Sequence, residues 1–378
     1  MPEQQTNKKG VFWGVIVVIL VVIFVTYFSN KSSSDTIKIG YFGPFSGPVA
    51  ASTGADIGNG FKLAYAKNHT INGKKVEVIY EDDSCDPKKA VAAATKLLNV
   101  DKVKVLISGV CSGSTLSAAP LAEKAKAILF TPVSTTPKLT TAGDYVFRTS
   151  ASGVVTADAM IKTAVKLGYK KAAILYESAE YPTGIKDAFV QKFPSTPGYT
   201  VVATEGFAPN ETDLRSQILK LTQAKPDVIL FITNSVATSQ AALKQKVALQ
   251  VKTPIMGNEY FIQREILANP DAEGVLTSTY KYDTEAPALK TLIDEYVKTY
   301  SAAPSQDLYV ALAYDGYNVL FDAMEKCGGD DVECIKSELY KVKDYQGISG
   351  VISIDKNGDT EREFVMKKVS GGKVVDVE

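Results

Sequence analysis

The residues best equipped for chemistry cluster in the run Val105-Leu106-Ile107-Ser108-Gly109-Val110-Cys111-Ser112-Gly113-Ser114-Thr115. A short apolar stretch breaks into a Gly/Ser turn, and a helical pattern follows from about Ser117. The run therefore reads as a buried strand, a turn and a helix start. Such a turn presents free backbone N–H groups and hydroxyls at the positive end of a helix dipole, the groups that hold a carboxylate or a phosphate. Many strand-to-helix turns are only tight turns, so the spacing alone names no ligand. Other reactive residues are sparse. The single histidine, His69, lies in a polar run before Ile71 and reads as a surface loop residue. Zinc sites built on histidine and Ser-His-Asp triads therefore lack material. The four cysteines, Cys85, Cys111, Cys327 and Cys334, have neither knuckle spacing nor a redox Cys-x-x-Cys, and an even count fits two disulfides in an oxidising compartment. Cys111 stands near a helix N-terminus, where thiol pKa values fall, but has no histidine partner for a nucleophilic role. The stretch Asp355-Lys356-Asn357-Gly358-Asp359 lacks the glycine and terminal glutamate spacing of a calcium loop and reads as a turn. No catalytic residue, metal site or cofactor is expected.

The composition agrees. The chain has 378 residues, 45% hydrophobic and 22% charged, which is ordinary for a globular protein and long enough for two lobes. Lys plus Arg and Asp plus Glu number 42 each, so no basic field favours nucleic acid.

Residues 1–9 are polar and end in Lys8-Lys9; residues 10–28 carry no charge. A run of that length just suffices to cross a bilayer as a helix, and Trp13, Tyr27 and Phe28 sit near its ends as interfacial anchors do. The basic residues before it place residues 1–9 in the cytoplasm and the rest outside. A cleaved signal peptide is the rival reading. The exit Tyr27-Phe28-Ser29-Asn30 is a poor small-x-small cleavage site, so an uncleaved anchor is favoured. Residues 29–35 are a Ser-rich linker; the folded part, 36–378, begins at Thr36.

From there strand and helix patterns alternate. Strands are predicted at 36–42, 75–80, 105–108, 128–130 and 146–148, with helices at 56–68, 86–99 and 117–126 between them. A second series follows, with strands at 171–176, 201–206, 228–231, 254–256 and 274–279 and helices at 154–167, 181–193, 213–223 and 235–248. Long helices at 286–300, 305–326 and 331–342 precede a hairpin of 348–354 with 363–369. Repeated βα units mean parallel sheets covered by helices. Ligands of such sheets bind beyond the carboxyl ends of the strands. There the first series offers Ser46, Ser112, Ser114, Thr115, Ser134 and Thr135, and the second offers Tyr181, the 233–235 segment and Glu259. Hydroxyl and N–H donors on one side and a carboxylate on the other suit a zwitterion: its carboxylate end meets the donors and its ammonium meets Glu259.

Several motifs recur together in a known order: Phe45-Ser46-Gly47-Pro48, Asp82-Asp83-Ser84-Cys85-Asp86-Pro87, Cys111-Ser112-Gly113-Ser114-Thr115, Pro132-Val133-Ser134-Thr135-Thr136-Pro137-Lys138-Leu139-Thr140, Tyr181-Pro182-Thr183-Gly184 and Met256-Gly257-Asn258-Glu259. From about residue 36 to the C-terminus the chain resembles the leucine/isoleucine/valine-binding proteins, the extracytoplasmic receptors of branched-chain amino acid ABC transporters. The resemblance implies an α/β fold of two doubly wound parallel-sheet lobes, the type I periplasmic-binding fold, joined by three crossovers. Here it would follow an N-terminal transmembrane helix. Lobe 1 would span about 36–152 and 283–345, lobe 2 about 153–282 and 346–378. The resemblance further implies that Ser112 binds the ligand carboxylate through its hydroxyl and N–H. Thr135 would touch both carboxylate and ammonium, helped by a backbone carbonyl near Val133 or Ser134. Glu259 would pair with the ammonium, and Tyr181 and Tyr309 would line the pocket. Cys85 and Cys111 match a disulfide pair of the family, worth roughly 3 kcal/mol for a loop of that size; the pairing of Cys327 with Cys334 is inferred from spacing alone. Two departures bear on the ligand. Where the family often has an aromatic residue over the ligand, this chain reads Ser52-Thr53, with one extra residue. The aromatic positions after strand 228–231 are replaced by Asn234, Ser235 and Val236. Thr53 and Ser235 therefore join the expected ligand-binding set, in a pocket with fewer aromatics and more polar groups that suits a different amino acid or an amide.

The reading is of a monomeric solute-binding protein that partners the permease subunits of an ABC transporter and delivers an amino acid to them. A ligand-sensing receptor ectodomain is the first rival, disfavoured by the nine residues before the anchor, too few for an output module. Binding of a short amide, a urea-like molecule or another small carboxylate is the second. An α/β enzyme is the third, and it lacks a histidine base, a nucleotide-binding glycine motif and a metal cluster.

Overall fold

The computed structural model describes residues 36–377. The expected anchor and linker, residues 10–35, lie outside the described residues; among the described residues no helix is long and apolar enough to cross a membrane.

The first sheet is built from β1 (Thr36–Gly43), β2 (Thr70–Ile71), β3 (Lys74–Asp82), β4 (Val105–Ser108), β5 (Ile128–Thr131) and β6 (Val146–Arg148) in the order β2-β3-β1-β4-β5-β6. All its pairings are parallel except β2 with β3. The second sheet contains β7 (Lys171–Glu177), β8 (Thr200–Phe207), β9 (Val228–Ile232), β10 (Ile255–Gly257) and β11 (Leu276–Tyr280). β14 (Phe364–Ser370) and β15 (Lys373–Asp376) join it antiparallel at the β11 edge, giving the order β15-β14-β11-β10-β9-β7-β8. The central strands β4, β5 and β9 are buried at every residue, as parallel strands covered on both faces must be, and this is why they read as unbroken apolar runs.

Helices pack on both faces. The helix Pro87–Asn99 begins where Asp86 accepts from the N–H groups of Lys88 and Lys89, at 2.7 and 3.1 Å, with proline at its first position, so cap and proline together fix its start. The helix Ser112–Ala125 begins five residues before the predicted boundary, which places Ser112, Gly113 and Ser114 in its first turn. The helices Pro287–Tyr300 and Asp307–Lys326 return to the first lobe, where Leu289, Leu292, Tyr296 and Val310 bury against Leu63.

The C-terminal region differs from the predicted hairpin of 348–354 with 363–369. Asn357-Gly358 does form a turn, closed by the Ile354–Thr360 bridge and by Asp355, which accepts from the N–H groups of Asn357 and Asp359. Beyond it β14 pairs with β11 and β15 instead, and β12 (Tyr345–Gly347) pairs with β13 (Gly350–Ile352). Alternation fixed the strand character of both segments, but partner choice depends on an open edge at β11 far away in sequence. Residues 348–360 bond to Asp315 and Arg148 of the first lobe.

Two disulfides, Cys85–Cys111 and Cys327–Cys334, are present. The first ties the turn after β3 to the residue preceding helix Ser112–Ala125, so it fixes the position of that helix's N-terminus.

Candidate ligand-binding site

A chamber between the lobes is lined from the first by Thr53, Val110, Cys111, Ser112, Val133, Thr135, Tyr309 and Leu312. The second lobe adds Tyr181, Asn234, Glu259, Tyr260 and Tyr280. Nearly every one of these follows the carboxyl end of a strand: Cys111 and Ser112 after β4, Thr135 after β5, Tyr181 after β7, Asn234 after β9, Glu259 after β10, and Tyr280 at the end of β11. The exceptions from the first lobe are Thr53, in a π-type turn at Ala50–Gly54, and Tyr309 and Leu312, on the helix Asp307–Lys326.

The first-lobe wall is made of neutral donors. Ser112 opens its helix, so its N–H and those of Gly113 and Ser114 have no acceptor within the helix. The Ser112 hydroxyl accepts from the Thr135 N–H at 3.2 Å, which locks the two turns together, while the buried Thr135 hydroxyl has no hydrogen-bond partner among the described residues. Behind them runs a hydroxyl chain. Ser108 Oγ and Thr115 Oγ1 lie 2.6 Å apart, Thr115 Oγ1 and Ser134 Oγ 2.5 Å, and Thr131 Oγ1 donates to Ser134 at 3.1 Å. Gly109 permits the close approach: a Cβ there would lie 2.4 Å from the Tyr41 hydroxyl oxygen. Arg148, 1% exposed, clamps the next turn by donating to the Thr136 carbonyl at 2.9 Å and to both Asp359 oxygens at 2.7 and 2.8 Å.

The second-lobe wall carries the charge. Glu259, 5% exposed, opens the turn Glu259–Ile262; among the described residues its Oε2 has no hydrogen-bond partner and no lysine or arginine lines the chamber. Burial pushes its carboxyl above the ordinary glutamate range, opposed by the neighbouring Tyr181 phenol. Asn258 holds that phenol in place: its Nδ2 donates to Tyr181 Oη and to the Thr233 carbonyl, both at 2.8 Å. Burial also raises Tyr181 and Tyr309 well above the usual phenol range, so both stay neutral donors, and Tyr280 is pushed up to about 12.

The lobes touch across the chamber. Thr136 Oγ1 donates to Glu180 at 2.8 Å, Gln263 Nε2 to Thr53 Oγ1 at 3.4 Å, Ser305 Oγ to Gln263 Oε1 at 3.1 Å, and Arg264 pairs with Asp307 at 2.6 Å.

Of the expected ligand contacts, the structure brings Thr53, Ser112, Thr135, Tyr181, Glu259 and Tyr309 together around one chamber. Two are placed elsewhere. Ser134 is spent in the hydroxyl chain behind the wall, and Ser235 caps helix Val236–Ala248 by accepting from the Thr238 N–H at 3.2 Å. Tyr260 and Tyr280 were missed, and with Tyr181 and Tyr309 they make the chamber richer in aromatics than the departures after β9 implied. The position of Tyr260 beside Glu259 was the available signal.

Two α/β lobes with a cleft between the carboxyl ends of their sheets, donors on one wall and a buried carboxylate on the other, define a solute-binding fold. Comparison with known proteins gives the family: a model of the periplasmic binding proteins matches residues 36–373, and the chain belongs to that family. It is 30% identical over 337 residues to a leucine-, isoleucine-, valine-, threonine- and alanine-binding protein of Pseudomonas aeruginosa, covering 88% of this chain and 89% of that one. A leucine-binding protein structure from Thermotoga maritima superposes with a TM-score of 0.81 at 27% identity, covering 90% of this chain and 98% of that one. An ABC-transporter solute-binding protein of Rhodopseudomonas palustris, in complex with 3,4-dihydroxybenzoic acid, has a TM-score of 0.80 at 26% identity, covering 91% and 96%.

Proposed function

We propose that this chain is an extracytoplasmic solute-binding protein that captures an α-amino acid by lobe closure and hands it to the permease of an ABC transporter. The observation that carries the reading is the pairing of two unsatisfied groups across one chamber: the Thr135 hydroxyl beside a helix N-terminus, and the buried, cation-free Glu259. A zwitterion satisfies both. Its carboxylate takes the Ser112 and Thr135 donors, and its ammonium restores a partner to a carboxylate that is otherwise costly to keep ionised. Each end engages a different lobe, so binding favours the closed arrangement, and transport needs no bond-breaking step. The amino-acid-binding relatives support this class of ligand, with branched-chain amino acids the first to test. The uncharged residues 10–28 would hold the protein at the outer face of the membrane.

A second reading follows from the chamber's tyrosines and the dihydroxybenzoate-binding neighbour: an aromatic carboxylate. Glu259 separates the two, since a benzoate brings no cation to it. The experiment is a thermal-shift panel of the twenty amino acids, short amides and hydroxybenzoates on the full chain in detergent. A ligand at about 100 times its Kd should add roughly 2.7 kcal/mol. A shift with amino acids that disappears in Glu259→Gln supports the proposal. A shift with hydroxybenzoates that survives Glu259→Gln contradicts it.

A further inference from the structure

The inner chamber leaves only about 40 Å³ open to the centres of water-sized molecules, room for roughly three waters. The carboxylate, ammonium and Cα of an amino acid use that space. An outer chamber of about 360 Å³ lies beyond it, and four residues line both: Cys111, Ser112, Tyr181 and Asn234. Three of these are committed. Cys111 is in a disulfide, Ser112 Oγ accepts from Thr135, and Tyr181 Oη accepts from Asn258. Asn234 is the one of the four whose side chain makes no hydrogen bond among the described residues; its backbone N–H donates to Glu177 Oε2 at 2.9 Å.

The outer chamber has a definite chemistry. Glu177, 1% exposed, presents a carboxylate already accepting from Asn234 N–H, Thr238 Oγ1 and, at 3.3 Å, Asn210 N–H. Glu180 is held by Thr136 and by Lys138 at 3.0 Å. Serines at 84, 117 and 178 add hydroxyls, and among the described residues no lysine or arginine lines the chamber. Lys89 reaches Ser84 at 3.0 Å, beside Asp82 and Asp86. With Glu180 paired to Lys138 and Lys89 set on Ser84, the uncompensated carboxylate of the lining is Glu177, which favours a donor over a second carboxylate.

We propose that Asn234 is the gate between the chambers, and that the ligand is an α-amino acid whose long side chain passes it and ends in an N–H donor, an amide or an amine. This rests on the amino-acid reading above. A small polar residue at this point lets the side chain through and offers it an amide; an aromatic ring would close the passage.

The test is isothermal titration of the full chain with glutamine, lysine, leucine and glutamate, repeated with Asn234→Tyr and with Ser117→Phe, which fills the outer chamber away from Glu259 and Thr135. Glutamine or lysine should bind about tenfold or more tighter than leucine, and glutamate weakest; both variants should weaken glutamine and lysine about tenfold or more and so erase their lead over leucine. Leucine bound tightest, with its rank unmoved by either variant, overturns this proposal and leaves the amino-acid reading standing. No binding by any amino acid overturns both.

Discussion

The two walls of the cleft solve opposite problems. The first lobe offers neutral donors: a helix N-terminus at Ser112, the Thr135 hydroxyl and a hydroxyl chain behind them. These cost little to bury because nearly all are bonded to one another, and they become stronger toward an anion in a dry site. The second lobe buries a carboxylate, Glu259, beside the Tyr181 phenol, and among the described residues its Oε2 has no hydrogen-bond partner. The difference teaches that the walls do not contribute equally. The donor wall orients a ligand; the carboxylate wall selects for a cation, since a ligand without one leaves a buried charge unpaired.

The largest effect should come from breaking the charged wall. Glu259→Gln keeps the shape and removes the charge, and should weaken amino-acid binding about 100-fold or more by isothermal titration, since truncating a buried charge pair costs roughly 2–5 kcal/mol. A loss under about fivefold would mean the ammonium lies elsewhere. The same wall sets a pH response. Burial raises the Glu259 pKa, and a bound ammonium would lower it. Affinity should therefore be full above the raised pKa and fall as pH drops through it, with proton release on binding. Titrations in buffers of different ionisation enthalpy check this; affinity that rises on acidification would contradict it.

The donor wall depends on the Cys85–Cys111 bridge for its placement. Replacing both cysteines with alanine should lower stability by about 3 kcal/mol and weaken binding as well, measured by denaturation and titration together. Removing Cys327 and Cys334 should lower stability without touching affinity. A smaller loss, about tenfold, is expected from Thr135→Val, which deletes one hydrogen-bond donor and keeps the volume.

The smallest expected effect lies at the seam between the walls. Asp56 accepts from the N–H groups of Ser305 and Gln306, at 3.2 and 2.9 Å, and from Tyr296, and burial pushes its carboxyl up to about 7. A carboxyl raised on folding adds stability in its protonated form, which is lost as pH rises through that value. The melting temperature should drop by a few degrees between about pH 5 and 8, and Asp56→Asn should flatten that slope.

The alternation of strands and helices was legible because β4, β5 and β9 are buried on both faces and must be apolar throughout. The clamp residues were legible because they follow those strands. Which hydroxyl in a turn faces the cleft was not: Ser134 and Thr135 are neighbours, yet one points into the hydroxyl chain and the other into the chamber. Ser235 reads equally as a cap or a contact until the start of its helix is known. Long-range partners leave no local trace, as with Arg148 and Asp359, 211 positions apart, or the pairing of β14 with β11.

The central claim is that each wall reads one end of a zwitterion. The direct measurement is a titration cycle: the best-binding amino acid and its deaminated acid, each against the wild-type chain and Glu259→Gln. The account predicts that removing the ammonium costs about 100-fold in the wild type and less than about threefold in the variant, a coupling of roughly 2 kcal/mol or more. Equal losses in both proteins, or a deaminated acid that binds the wild type as well as the amino acid does, would contradict it.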